Sequence, residues 1–222
     1  MNNLKKKIRK DGFIVIKDFF SEEEASRYRA LCDNYFNNHS SFQCDGGKVV
    51  PGWAGNTPEM EELNLLYENS KMTDIVSEIL GDAYLFAEHS DLHQDKITGW
   101  HRDTYDYQRG GGVWPQWTED FFVIKVAFLL QDHSSNDHGL WMDIYSHRSE
   151  GSHNPIYIPS GPMDLIIFDQ KINHRGQSSQ YLDKYGEHRY LITYGYGLDN
   201  EHTLMHNAGC KKRQDAQRLE MK

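Results

Sequence analysis

Apolar and polar positions along the chain change period near residue 82, from helical spacing before it to short extended runs after it. Residues 5–10 read as a solvated helical leader. Gly12-Phe13-Ile14-Val15-Ile16-Lys17 is a short apolar strand. Ser21 and Glu24 have the S-x-x-E spacing of a capping box, which predicts a helix start. Ala25, Tyr28, Leu31, Cys32 and Tyr35 then recur on one helix face. The stretch 40–56 is polar and glycine-rich and reads as a loop, with Trp53 as a candidate lid or substrate contact. Thr57-Pro58 looks like an N-cap followed by proline at the first helical position, opening a helix to about Tyr67. A further helix spans 70–80 and ends at Gly81.

After Gly81 the runs are short. Residues 83–88, 121–131, 140–145, 155–158, 164–168 and 189–196 read as strands, and 97–103 as containing a strand end. The aromatic stretch 105–117 is either a lid or a packed surface loop. Helices first and strands afterwards predict a mainly β fold, a double-stranded β-helix (jelly roll) with an N-terminal helical layer. The expected division is one domain over 1–222: helical to about 82, jelly-roll core about 83–198, then a helical tail in which 211–222 reads as charged and exposed.

Composition narrows the function. With 38% hydrophobic and 13% aromatic residues, the chain can build a large core. A net charge of −9 argues against a nucleic-acid partner, which needs a basic stripe to neutralise phosphates. No run approaches the ~18 to 20 apolar residues of a membrane span. The basic N-terminus is not followed by a signal-type apolar run, so a cytoplasmic protein is expected. Cys32, Cys44 and Cys210 have no paired spacing, which fits reduced thiols.

The chemistry centres on Gly99-Trp100-His101-Arg102-Asp103. On an extended chain residues i and i+2 share a face, so His101 and Asp103 would point together and Arg102 away. His174 follows the apolar strand that ends at Asp169, a usual position for site residues. Two histidines and a carboxylate on one side of a metal leave open positions, the arrangement of non-haem Fe(II) oxygenases. With 12 histidines in the chain, competitors exist. His93-Gln94-Asp95 repeats the His-x-Asp spacing, but ranks lower because no apolar run follows to bury it.

These segments resemble the phytanoyl-CoA dioxygenase-like branch of the Fe(II)/2-oxoglutarate-dependent oxygenases. The resemblance runs from Gly12-Phe13-Ile14-Val15-Ile16 and Ser21-Glu22-Glu23-Glu24-Ala25 through Trp100-His101-Arg102-Asp103 and Phe128-Leu129-Leu130-Gln131-Asp132 to about Tyr196. Its most specific part is Asp164-Leu165-Ile166-Ile167-Phe168-Asp169 followed by His174-Arg175-Gly176. It implies Fe(II) bound by His101, Asp103 and His174, with 2-oxoglutarate and O2 as co-substrates. It also implies hydroxylation of an unactivated C–H in a small molecule, with succinate and CO2 as co-products. An intact Asp103 favours hydroxylation over halogenation, because halogenating relatives lack that carboxylate.

A bidentate cation suits the distal carboxylate of 2-oxoglutarate. The resemblance puts it at Arg189, with Arg175 as an alternative; the long gap before Arg189 reads as a polar hairpin loop at 180–187. Lys125, Ala127, Leu129 and Gln131 share parity on the long strand. Lys125 and Gln131 need polar partners there and are candidate co-substrate contacts. Lys125 either pairs with a carboxylate in the cavity or snorkels to the sheet edge. Thr193 is a further co-substrate contact. Where many relatives have a glycine-rich segment ending in Pro-Gly-Ser-His that can border the substrate pocket, this chain keeps the skeleton of Leu140, Ser146 and His147 within 139–147 but not the Pro-Gly turn. Two other classes compete: a cupin-type metal enzyme without 2-oxoglutarate, which would not need Arg189, and a non-catalytic jelly-roll binding module.

Overall fold

The apolar run that follows Asp120 forms strand β6 (Val123–Leu129), buried at every position. A strand covered on both faces reads as continuously apolar, with its two faces still alternating. Ile124, Val126 and Phe128 enter a core beneath the helices. Ala127 and Leu129 enter a second core between two sheets. β9 (Leu165–Asp169) and β11 (Tyr190–Leu198) split in the same way. Leu165, Ile167, Tyr190, Ile192, Tyr194 and Tyr196 face the helices. Ile166, Phe168 and Leu191 face the other sheet.

The computed structural model describes residues 3–114, 117–135, 138–150, 153–176 and 186–221. The larger sheet has the order β1 (Phe13–Ile16), β9, β6, β11, β5 (Asp91–Gln94), β3 (Gly47–Pro51), β2 (Phe42–Cys44), with β4 (Tyr84–Phe86) also paired to β11. The smaller sheet has the order β10 (Asn173–Gly176), β7 (Leu140–Asp143), β8 (Pro155–Ile158). Every pairing is antiparallel. The two sheets face each other across the second core as a double-stranded β-helix. Helices α1 (Asn3–Asp11), α2 (Glu22–Asn38) and α4 (Ser70–Leu80), with the short α3 (Glu61–Asn64), contribute to the outer core. None of the described helices is long and apolar enough to cross a membrane.

α2 begins with the capping box. Ser21 Oγ accepts from the Glu24 N–H at 3.1 Å, and Glu24 Oε2 accepts from the Ser21 N–H at 2.8 Å. Both otherwise orphaned donors are satisfied. Ser21→Ala should lower stability by about 1 kcal/mol in urea unfolding, and Ser21→Asp should recover most of it.

Several elements differ from the sequence expectation. The stretch 40–56 is a hairpin, not a loop. Asp45 (φ 48°) and Gly46 (φ 78°) both sit in the left-handed region, as a two-residue primed turn requires. Trp53 is no lid: it is fully buried, donates its indole N–H to the Thr193 carbonyl at 3.3 Å and packs edge-on against Tyr194. The helix expected after Thr57 is broken into a 3₁₀ turn (Pro58–Met60), α3 and a second 3₁₀ turn (Leu65–Glu68), and Thr57 makes no side-chain cap. The buried Met60, Leu63 and Leu66 recur every three residues, the period of a 3₁₀ turn.

The charged residues 211–219 are helical as expected, with Gln214 alone buried among them, and the helix begins ten residues earlier. That helix is α6 (Glu201–Leu219), which buries Thr203, His206, Gly209, Cys210 and Gln214. α6 lies against α5 (Tyr105–Arg109), a helix within the stretch expected to be irregular. Gly110 and Gly209 make this approach possible. A Cβ on Gly209 would stand 1.7 Å from the Asp106 carbonyl oxygen, and one on Gly110 1.7 Å from that of Met205.

Candidate metal centre

His101 and Asp103 do not lie on a regular strand. His101 makes an isolated antiparallel bridge to His174, each N–H donating to the other's carbonyl at 2.9 Å. The Asp103 N–H donates to the Gln170 carbonyl at 3.1 Å. The backbone of one ligand segment is thus pinned to that of the other. Arg102 points away, donating to the carbonyls of Lys171 at 2.9 Å and Ser146 at 3.2 Å.

Three side chains converge. Asp103 Oδ1 is 3.7 Å from His101 Nε2, and Asp103 Oδ2 is 3.6 Å from His174 Nε2. The Nδ1 of His101 bonds the Gly99 carbonyl at 2.8 Å, and that of His174 bonds the Ile172 carbonyl at 3.0 Å. A carbonyl only accepts, so Nδ1 carries the proton and the Nε2 lone pair faces the carboxylate. Two oriented imidazole lone pairs and a carboxylate on one side fit a divalent cation such as Fe(II).

Lys125 completes the cluster, its Nζ 2.8 Å from Asp103 Oδ2. Burial pulls the Asp103 pKa upward, but Lys125, then His174, His89 and His101, outweigh it and hold the carboxyl well below its usual range. Burial, with His101 and Lys125 adding to it against Asp103, pushes His174 down to about 3. Asp103 is therefore ionised and His174 neutral, the states in which both bind metal.

A cavity of about 480 Å³ opens from the three ligands. Lys125, Ala127 and Leu129 of β6 line it, as do Arg189, Leu191 and Thr193 at matching parity on and before β11. Lys125 is buried there and does not snorkel to the sheet edge. Arg189 donates to the carbonyls of His138 at 3.2 Å and of Lys96. The Thr193 hydroxyl donates to the Asp91 carbonyl at 3.1 Å. Tyr105, Asp106 and Arg109 bring part of the 105–117 stretch to the wall.

Several expected contacts fall elsewhere. Gln131 lies past the end of β6 and outside the lining. Its amide exchanges hydrogen bonds with the Tyr190 backbone, accepting at 2.8 Å and donating at 3.1 Å, so it replaces a strand pair instead of facing co-substrate. Arg175 is stacked between Trp100 and Trp141, 5.2 and 5.3 Å from the ring centres. His93 lines the cavity, but Asp95 bonds His188 Nδ1 at 2.6 Å and the Arg189 N–H at 2.8 Å, so the second His-x-Asp makes no ligand pair. Of the 139–147 segment only Leu140 reaches the cavity; Ser146 Oγ accepts from the Asn173 N–H, and His147 Nε2 donates to the Arg9 carbonyl. Most of the loop expected at 180–187 lies outside the described residues.

The sequence reading missed the opposite wall. Asp91 of β5 and Asp106 of α5 are bridged by Arg213 of α6, at 2.9 and 3.1 Å. All three line the cavity with His89 and Gln217. Their partners lie more than a hundred residues apart, so no local pattern signals them.

A family model described as phytanoyl-CoA dioxygenase matches residues 8–181. The chain belongs to the phytanoyl-CoA dioxygenase (PhyH) family. As a PhyH protein it is an enzyme of the non-haem iron, 2-oxoglutarate-dependent class. Similar solved structures share the fold at low identity. The α-ketoglutarate-dependent epimerase SnoN from nogalamycin biosynthesis is 14% identical, with TM-score 0.68 over 87% of this chain and 80% of that one. HygX from Streptomyces hygroscopicus, with nickel, 2-oxoglutarate and hygromycin B bound, is 12% identical, with TM-score 0.66 over 90% and 88%. EctD from S. alaskensis, with 2-oxoglutarate and 5-hydroxyectoine, is 17% identical, with TM-score 0.65 over 87% and 74%. No curated protein matches the PhyH chain in sequence. α6 lies beyond the residues matched by the PhyH model.

Proposed function

We propose that this PhyH-family enzyme hydroxylates an unactivated C–H bond of a small molecule, using Fe(II), 2-oxoglutarate and O2. The observation that carries this reading is the His101–Asp103–His174 cluster opening into the same cavity as Lys125 and Arg189. Fe(II) with 2-oxoglutarate and O2 supplies the oxidising power that breaks the C–H bond, releasing succinate and CO2.

The chain's own residues position and protect that chemistry. His101, Asp103 and His174 would hold the metal on one face. Lys125 fixes one oxygen of Asp103 and limits its rotation. Arg189 supplies a planar fork for the distal carboxylate of 2-oxoglutarate. Thr193 lies four residues further on with the same parity and lines the same cavity, where its hydroxyl would border that carboxylate. Ala127, Leu129, Leu140, Phe168 and Leu191 give an apolar wall that excludes water around the reacting C–H. The cavity volume suits a small molecule. HygX and EctD were solved with hygromycin B and 5-hydroxyectoine, small polar compounds. SnoN is an epimerase, so this fold also supports a different outcome. The carboxylate at Asp103 favours hydroxylation over halogenation.

Anaerobic addition of Fe(II) and 2-oxoglutarate should produce the weak visible metal-to-ligand charge-transfer band, and succinate release across a panel of small metabolites should identify the substrate. Arg189→Met should raise the KM for 2-oxoglutarate roughly 10- to 100-fold, the loss of a charge-assisted hydrogen bond, with smaller change in kcat. Absence of the band in the native protein would favour a cupin-type enzyme that does not use 2-oxoglutarate.

A further inference from the structure

A second group of metal-type donors sits behind the cavity wall. One nitrogen each of His89 and His206 and the thiol of Cys210 lie within 4.8 Å of one another. All three residues are buried. His206 and Cys210 are one turn apart on the same face of α6, with Nε2 and Sγ 3.2 Å apart. His89 reaches them from the turn between β4 and β5, its ring 5.5 Å from that of His206. Asp106 Oδ2 lies 3.4 Å from Sγ and offers a fourth donor.

We infer that His89, His206 and Cys210 form a second metal site, for a borderline-soft divalent ion of the Zn(II) type. Two imidazoles and a thiolate are the donors such an ion prefers, whereas the carboxylate-containing His101–Asp103–His174 set is the harder, iron-type site. As plain packing the cluster leaves Nδ1 of His89 buried without a hydrogen-bond partner among the described residues, while its Nε2 lies 3.5 Å from Asp91 Oδ2 and 3.4 Å from Lys125 Nζ, so Nδ1 is the nitrogen a metal would take up. Buried polar atoms are rarely left so; His206 turns its Nε2 to the thiol. Binding replaces the thiol proton: the S–H bond breaks, the metal–sulfur bond forms, and one proton leaves to solvent. The cations around the cluster are held by carboxylates, Arg109 by Asp106 among them. Arg213 is bound by Asp91 and Asp106. Lys125 is 3.4 Å from His89 Nε2 and 2.8 Å from Asp103. Lys125 thus stands between the two sites and separates their ions. The second ion would clamp α6, with Arg213 and Gln217, onto the cavity wall.

Cobalt is the probe, because thiolate-to-Co(II) charge transfer gives a strong near-ultraviolet band. Metal-free protein titrated anaerobically with Co(II) should bind two equivalents, one of them with the thiolate band. Cys210→Ser should lose the band and one equivalent. His206→Gln should lose the same equivalent. His174→Ala should lose the other equivalent and keep the band. Zn(II) should raise the Tm of the native protein and of His174→Ala by several degrees, and that of Cys210→Ser much less. One equivalent without a thiolate band in the native protein overturns the inference, whatever the variants do. A band that survives in Cys210→Ser also overturns it, since it would come from Cys32 or Cys44.

Discussion

His174→Ala should abolish turnover while leaving the fold intact, with succinate release falling roughly a thousandfold or more. His174 supplies one of three donors, yet its contribution to the scaffold is mainly main-chain. The paired hydrogen bonds to His101 run between backbone atoms and survive the change. The side chain contacts the rings of His101 and Phe168, so its loss opens space at the cavity and leaves the outer core untouched. The anaerobic Fe(II)/2-oxoglutarate band should vanish with the activity, and excess 2-oxoglutarate should restore neither. A variant retaining the band and more than a tenth of the succinate release would remove His174 from the metal.

The same substitution carries a stability signature. Burial first, then His101, pushes His174 from 6.5 to about 3 in the folded metal-free chain. The unfolded chain takes up a proton between those values and the folded chain does not. Stability is therefore lost as pH falls from about 6.5 toward 3, at up to ~1.4 kcal/mol per pH unit from this residue. Urea unfolding of the metal-free protein at several pH values should show a shallower slope in His174→Ala.

Gly209→Ala should destabilise the protein by about 3 kcal/mol, as overpacking against an unyielding neighbour does. Helix propensity alone predicts a gain of about 1 kcal/mol, because alanine replaces glycine inside α6. Packing predicts the opposite sign. The added methyl would meet the Asp106 carbonyl at 1.7 Å, and a backbone atom cannot rotate aside as a side chain can. α6 would have to lift, loosening Arg213 from Asp91 and Asp106. Gly110→Ala meets the mirror obstruction at Met205, and the double variant should cost less than the sum, since both report on one contact. A neutral or stabilising Gly209→Ala would refute the close approach of α5 and α6.

Where burial follows from local pattern, the chain was readable from its sequence. β6 and β9 announce themselves because both faces are covered, leaving an unbroken apolar run. The α2 start is visible because its capping partners are three residues apart. His101, Asp103 and His174 could be grouped because the motif spacing and the preceding strand are both local signals. Elements stabilised from a distance were not readable. β5, Asp-Leu-His-Gln, has no strand-like alternation; the charge of its buried Asp91 is met by Arg213, which arrives from the other end of the chain. The β2–β3 hairpin carried its signal in Asp45-Gly46, but polar flanks hid it. Parity along β6 grouped Lys125 with Gln131 but left open whether that face lined a cavity; Lys125 does line it, and Gln131 does not, because the rule ends where the strand does.

The alternation on β6 and β11 also limits how this pocket can change over evolution. Lys125, Ala127 and Leu129 face the cavity while Ile124, Val126 and Phe128 face the helices. On β11 the same split sets Leu191 and Thr193 against Tyr190, Ile192 and Tyr194. Deleting one residue from either strand would exchange the two sets, sending tyrosines toward the metal and a threonine into the outer core. New substrate preferences can therefore be reached one side chain at a time along these strands. Changes of chain length are restricted to the connections between strands, and the one from β5 to β6, residues 95–122, carries two of the three metal-type ligands.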